Sequence, residues 1–188
     1  MLLSDGSVTR HLQLLSNLTI SVDCLEMARL PDPAPASLPG AARRVPGPLL
    51  QRQVLLRRDC GERQPLVYAT SWWNADEAPR YLPDAAQPIW SNLTRDGLEL
   101  YRDVRRIYLG ESRLLAGMLG AEGPFWARHY LFWHDGRPLT CVFEVFSTAL
   151  QDYLGSADGC DGGACAAGGP GGWEGGCEGG SRAGGPGG

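Results

Sequence analysis

The dipeptide Asp135-Gly136 stands between two long runs rich in β-branched and aromatic residues, 126–134 (WARHYLFWH) and 137–147 (RPLTCVFEVFS). Both central positions of a type I′ turn need positive φ, and Asp-Gly is one of the few pairs that accept it. A two-residue turn also fixes the strand register, and with it the face each side chain occupies. Counted out from the turn, His134 stands opposite Arg137, Leu131 opposite Thr140 and Ala127 opposite Glu144. Glu144 then shares a face with Val142, Phe146, Ala127 and His129. A chain carrying such a hairpin builds on an antiparallel sheet.

Local patterns supply the other elements. Residues 17–27 (NLTISVDCLEM) alternate as a strand, with Leu18, Ile20, Val22 and Cys24 on one face. Residues 50–58 form a second strand whose even face carries Leu50, Arg52, Val54 and Leu56. Residues 66–73 (LVYATSWW) form a third, after a turn at Cys60-Gly61-Glu62-Arg63. Ser7 is placed to cap a helix over 8–15, and a short helix over 112–119 stops at Gly120. The stripe Leu100, Tyr101, Val104, Ile107 and Tyr108 has helical spacing and predicts a longer helix over 94–109. Helices set among hairpin strands give an α+β fold on an antiparallel sheet.

Two segments fall outside this pattern. Residues 31–48 contain Pro31, Pro33, Pro35, Pro39, Pro46 and Pro48, too many for a helix or inner strand, and read as an extended connection or flap. Residues 155–188 hold sixteen of the 26 glycines and almost nothing that could form a core. They are predicted to be a disordered tail. The folded domain is therefore expected over 1–154, a length that can bury one sizeable core.

Composition removes several functions. All 17 basic residues are arginine, so no lysine is present for a Schiff base, a pyridoxal phosphate site or a Walker-A loop. A net charge of -4 opposes a nucleic-acid partner. No apolar run has the length of a membrane-spanning helix, and the first residues lack the basic-then-apolar pattern of a secretory signal. Of the six cysteines, three lie in the glycine-rich tail; Cys24, Cys60 and Cys141 stand apart from one another and from any histidine. They read as reduced thiols of an intracellular protein, with no metal site. The sequons at Asn17 and Asn92 are then chance matches.

Two charges sit where apolar residues belong. Arg52 lies on the apolar face of its strand, and Glu144 lies inside the apolar run 139–146. A buried ion costs several kcal/mol unless paired. Either the two pair with each other or meet water at a strand edge, or they stand at opposite ends of a pocket. In a pocket, Arg52 would grip a carboxylate with its planar fork, and Glu144 would handle a hydroxyl or ether oxygen. Arg128, on the other face by this register, reads as a solvated or helix-covered arginine. His129 and His134 read as face-filling and turn residues, and Trp72, Trp73, Trp90, Trp126 and Trp133 as core.

Several segments in combination resemble the chorismate lyase family. They are Asp5-Gly6-Ser7-Val8-Thr9-Arg10, Arg52-Gln53-Val54-Leu55-Leu56, Pro88-Ile89-Trp90, Asp135-Gly136-Arg137-Pro138-Leu139 and Phe143-Glu144-Val145-Phe146. Ala69-Thr70-Ser71-Trp72-Trp73-Asn74 and the run 122–134 resemble its cyanobacterial and plastid branch. The resemblance covers about residues 2–154 and implies a six-stranded antiparallel sheet with helical flaps over an internal site. It implies that Arg52 binds a ring carboxylate, aided by backbone N–H groups near Val8 and Ile89, and that Glu144 meets the oxygen at the far end of the ring. The implied activity is cofactor-free elimination of pyruvate from chorismate, leaving 4-hydroxybenzoate for quinone biosynthesis. A monomer in the plastid stroma or cytoplasm is expected. Bacterial members often carry Met where this chain has Val8, and members have a further N-terminal helical stretch, so a truncated chain is also an expectation. The rival class is a binding module, because the same fold serves as the effector-binding domain of bacterial transcription regulators; an inactive paralogue is the third reading.

Overall fold

In the computed structural model the chain runs α1 (Val8–Ser16), β1 (Ile20–Arg29), β2 (Leu49–Arg58), β3 (Pro65–Asn74), α2 (Ala78–Tyr81), α3 (Ile89–Arg95), β4 (Tyr101–Gly110), α4 (Arg113–Leu119), β5 (Phe125–His134) and β6 (Arg137–Phe146). The structure describes residues 2–4, 6–59, 63–95 and 97–154. The tail over 155–188, expected to be disordered, and residues 60–62 of the turn expected at 60–63 lie outside the described residues.

Two antiparallel meanders, β1-β2-β3 and β4-β5-β6, join through β3 and β6 into a six-stranded sheet of order β1-β2-β3-β6-β5-β4. One face carries Arg52, Val54 and Leu56 from β2, Val67, Ala69 and Ser71 from β3, and Val142, Glu144 and Phe146 from β6, in register across the three strands. Helix α1 and a 3-10 turn at Thr148–Tyr153 cover one end of this face through Val8, Leu12 and Leu150. Helices α2 and α3 cover the other end through Ala78, Tyr81 and Leu93. The opposite face is closed by α4, where Leu119 packs on Leu55, Phe125, Ala127 and Val145. The proline-rich stretch covers the rest: it forms a 3-10 turn at Ala42–Arg44 and buries Leu38, Ala42 and Val45 against Trp72, Leu131 and Cys141. Apolar side chains between the prolines hold it to the sheet along its length.

Helix ends follow the capping residues in the sequence. The Ser7 side chain accepts from the N–H of Arg10, and Asn17 closes α1 in the left-handed region at φ 53. Ser112 caps α4 in the same way, and Gly120 ends it at φ 60.

Two expectations are corrected. The stretch 94–109 is not one helix: α3 ends at Arg95 and β4 starts at Tyr101. The helix-like stripe has a physical origin in a β-bulge between Val104 and Arg106. An extra residue in a strand shifts the alternation by one. Val104 and Ile107, three apart, therefore share a face, opposite Tyr130 and Arg128 of β5. The hairpin register also changes. The turn is as expected, with φ 49 at Asp135 and 71 at Gly136, and His134 pairs with Arg137. Pairing then steps from Trp133↔Pro138 to Phe132↔Thr140, leaving Leu139 as an extra residue. Pro138 has no N–H to give the ladder, so this is where a bulge is tolerated. Beyond it Glu144 faces Arg128 instead of Ala127, and His129 lies on the opposite face.

Candidate functional site

Arg52, Arg102, Arg128 and Glu144 are all buried, with 1%, 8%, 0% and 6% of their surface exposed. All four belong to the sheet face covered by α1, α2 and α3. Arg52, Arg102 and Glu144 line one cavity of about 50 Å³, together with Val8 of α1, Ile89 and Trp90 of α3, and Tyr130 and Phe132 of β5. Val8 and Ile89 are the first residues of their helices. The four residues expected at the site, Val8, Arg52, Ile89 and Glu144, are thus brought together around it.

Glu144 is held from two sides. Its Oε2 accepts from Arg128 Nε at 2.8 Å, and its Oε1 accepts from the Tyr130 hydroxyl at 2.9 Å. Burial above all, and then the Glu144 carboxylate, hold the Tyr130 phenol well above its ordinary value, so it stays a donor. Arg128 Nη1 donates to the carbonyls of Leu2 and Ser4, at 2.7 and 3.1 Å. The N-terminal lead-in is thereby tied to the carboxylate. Gly6 leaves space for the His11 ring: a Cβ there would meet His11 Cε1 at 2.8 Å.

Arg52 does not pair with Glu144. Its Nε and Nη2 donate to the Ala85 carbonyl at 3.2 and 2.6 Å, and Nη2 also donates to the Gln87 carbonyl at 2.9 Å. These oxygens belong to the loop leading into α3, so Arg52 sets the position of that helix. Burial lowers the Arg52 pKa from its ordinary value, against which the Cys24 side chain and Asp84 act. Arg102 Nη1 donates to the carbonyls of Ser4 and Gly6, at 3.0 and 2.7 Å. Its guanidinium lies 4.5 Å from the Tyr130 ring centroid, 4.8 Å from Phe132 and 5.8 Å from Trp90.

Arg102, Arg128 and Tyr130 escaped the sequence reading. The signal that exposed Arg52 and Glu144, a charge inside an apolar run, was present at Arg128 too, but the two-residue turn counted it onto the wrong face. The helical spacing of 94–109 hides Arg102, which the structure puts in β4. His129 accordingly lies outside the site, 2.7 Å from the Tyr108 hydroxyl, and its pKa is lowered by burial and then by Arg105 and Arg106. The Cys24 and Cys141 thiols are free, with burial pushing Cys141 up to about 12. Among the described residues no three His, Cys, Asp or Glu side chains gather as a metal would need. No helix among them is long and apolar enough to cross a membrane.

A six-stranded antiparallel open sheet with a few helices packed on it is the chorismate lyase-like fold. Solved structures with this architecture include PhnF from Mycobacterium smegmatis, at TM-score 0.58 and 17% identity over 78% of this chain and 66% of that one. The C-terminal domain of histidine utilization repressor from Pseudomonas syringae pv. tomato matches at TM-score 0.50 and 16% identity, over 69% of this chain and 92% of that one. The sequence profile described as Chorismate pyruvate-lyase Rv2949c-like matches residues 2–154, and the chain belongs to that family. Its relatives include two proteins described as uncharacterized protein ycf21. That of Cyanophora paradoxa is 38% identical over 151 residues, 80% of this chain and 77% of the relative. That of Porphyra purpurea is 30% identical over 153 residues, 81% and 82% of the two chains.

Proposed function

We propose that the protein is a chorismate lyase, a carbon–oxygen lyase that releases pyruvate from chorismate and leaves 4-hydroxybenzoate. The observation that carries this reading is that Arg52 and Glu144, unpaired with each other, line one cavity in a chain of this family. Their strands are separated by β3, so their backbones lie about 10 Å apart. That span matches one ring with a polar group at each end, once the covering helices make room for it. Arg52 takes the ring carboxylate, with the backbone of Val8 and Ile89 beside it, and Glu144 takes the oxygen at the far end. The ring loses a proton, the ether bond to it breaks, and the released enolpyruvyl group gains a proton at its methylene carbon. Aromatisation drives the step, so the chain's work is to position the substrate, exclude water and assist proton movement. The product suits quinone biosynthesis in a plastid, with the likeness to the plastid branch as support.

The second reading is a non-catalytic module that binds a small aromatic acid, favoured by the fold shared with a repressor's C-terminal domain. Steady-state kinetics on chorismate, without added metal or organic cofactor, separates the two. Glu144→Gln is expected to slow turnover on the order of 10²-fold, the size of lost general acid–base help. Arg52→Met is expected chiefly to weaken 4-hydroxybenzoate binding, by the ~1.5–3 kcal/mol of a charge-assisted hydrogen bond. Absence of turnover in the unaltered protein, with 4-hydroxybenzoate still bound, would favour the binding module.

A further inference from the structure

We infer that Arg102 is the residue of this cavity that recognises the second carboxylate of a dianionic ligand. This inference rests on the reading of the cavity as the ligand site, and it concerns the charge of the ligand, not the reaction. Three charged side chains line the cavity, Arg52, Arg102 and Glu144. Glu144 is already neutralised by Arg128 at 2.8 Å. Among the described residues no carboxylate stands at ion-pair distance from Arg52 or Arg102, so two positive charges remain. They flank Glu144 along the sheet: Arg52 lies two strands to one side and Arg102 two strands to the other.

The two arginines differ in what holds them. Arg52 has Nε and Nη2 on carbonyls. Arg102 uses Nη1 on carbonyls, while its buried Nε has no partner among the described residues. A buried N–H on a cation without an acceptor costs free energy that an anionic ligand would restore. The aromatic rings of Trp90, Tyr130 and Phe132 around the guanidinium strip water from it and strengthen its field. A ligand with a carboxylate at each end and a hydroxyl or ether oxygen between them matches this order of charges. Chorismate has that form, whereas 4-hydroxybenzoate and pyruvate carry one carboxylate each. Elimination would divide the dianion into two monoanions, one beside each arginine, and each would be held by fewer contacts than the substrate.

Calorimetry on the full chain tests this without requiring turnover, using 4-hydroxybenzoate as the monoanion and 3-(carboxymethoxy)benzoate as a non-reacting dianion. The unaltered protein is expected to favour the dianion by about tenfold or more, the worth of one charge-assisted bond. Arg102→Met should remove that preference by weakening the dianion more than it weakens 4-hydroxybenzoate. Arg102→Lys, which keeps the charge and the lead-in nearby, should retain part of it. The chorismate KM should rise in Arg102→Met while kcat changes less. Equal loss of both ligands in folded Arg102→Lys would overturn the inference, as would a dianion preference that survives in folded Arg102→Met or is missing from the unaltered protein. Failure to turn over chorismate would count against the lyase reading alone, because the ligand preference is read independently.

Discussion

At the scale of single residues, the site depends on a carboxylate whose two oxygens each have a buried donor. Glu144 and Arg128 form a pair with 8% and 0% of their side chains exposed. Removing one member of such a pair leaves an uncompensated buried charge, at a cost of about 3–5 kcal/mol. Arg128→Met is therefore expected to lower the unfolding free energy by roughly that amount in urea denaturation. It also frees the Leu2 and Ser4 carbonyls that Arg128 holds. The double variant Arg128→Met, Glu144→Leu should recover part of the loss, since neither charge is then stranded. A single variant as stable as the unaltered protein would show that the pair is not desolvated as the structure has it.

Among the elements, α1 and α3 control access. A free volume of about 50 Å³ is far below the roughly 300 Å³ or more of ordinary small-molecule pockets. An aromatic acid enters only if these helices part from the sheet. Each is anchored by polar contacts that can open singly. Arg52 holds the loop before α3 through Ala85 and Gln87, and Arg102 holds the lead-in to α1 through Ser4 and Gly6. Hydrogen exchange with and without 4-hydroxybenzoate checks this. Amides of 6–16 and 84–95 should slow on binding, while those of β3 and β6 at the centre of the sheet should not change. Uniform slowing across the sheet would point to a rigid site that opens only by global unfolding.

For the whole molecule, the histidines set how stability responds to mild acid. His11 and His129 are both held below the usual 6.5, in each case first by burial and then by neighbouring positive charge. In the unfolded chain both accept a proton near 6.5; in the folded protein they do so only at lower pH. The unfolded state therefore binds more protons in that interval. Their contribution is fully present above 6.5 and is lost as pH falls through the lowered values. Calorimetric Tm should be level above about pH 7 and decline below about 6.5, before the carboxylates titrate. His129→Gln should make that decline shallower. An unchanged slope would mean that His129 does not bind its proton more weakly in the folded state.

Elements whose signals are local are legible in the residues themselves. The cap at Ser7, the stop at Gly120, the Asp135-Gly136 turn, the alternation of β2 and the β-branched and aromatic content of β3 each depend on a few neighbouring residues. The sequence also marks Arg52 and Glu144, because a charge inside an apolar run must find a partner or a ligand. Tertiary structure decided what those signals could not reach. Two β-bulges, at Leu139 and beside Val104, each shift the alternation by one residue. The first carries Arg128 and Tyr130 onto the face of Glu144, and the second gives β4 the spacing of a helix. Which partner each buried arginine takes was decided there as well. Arg52 and Arg102 end on backbone carbonyls of loops far away in the chain, contacts that exist only once the sheet has brought those loops to its face.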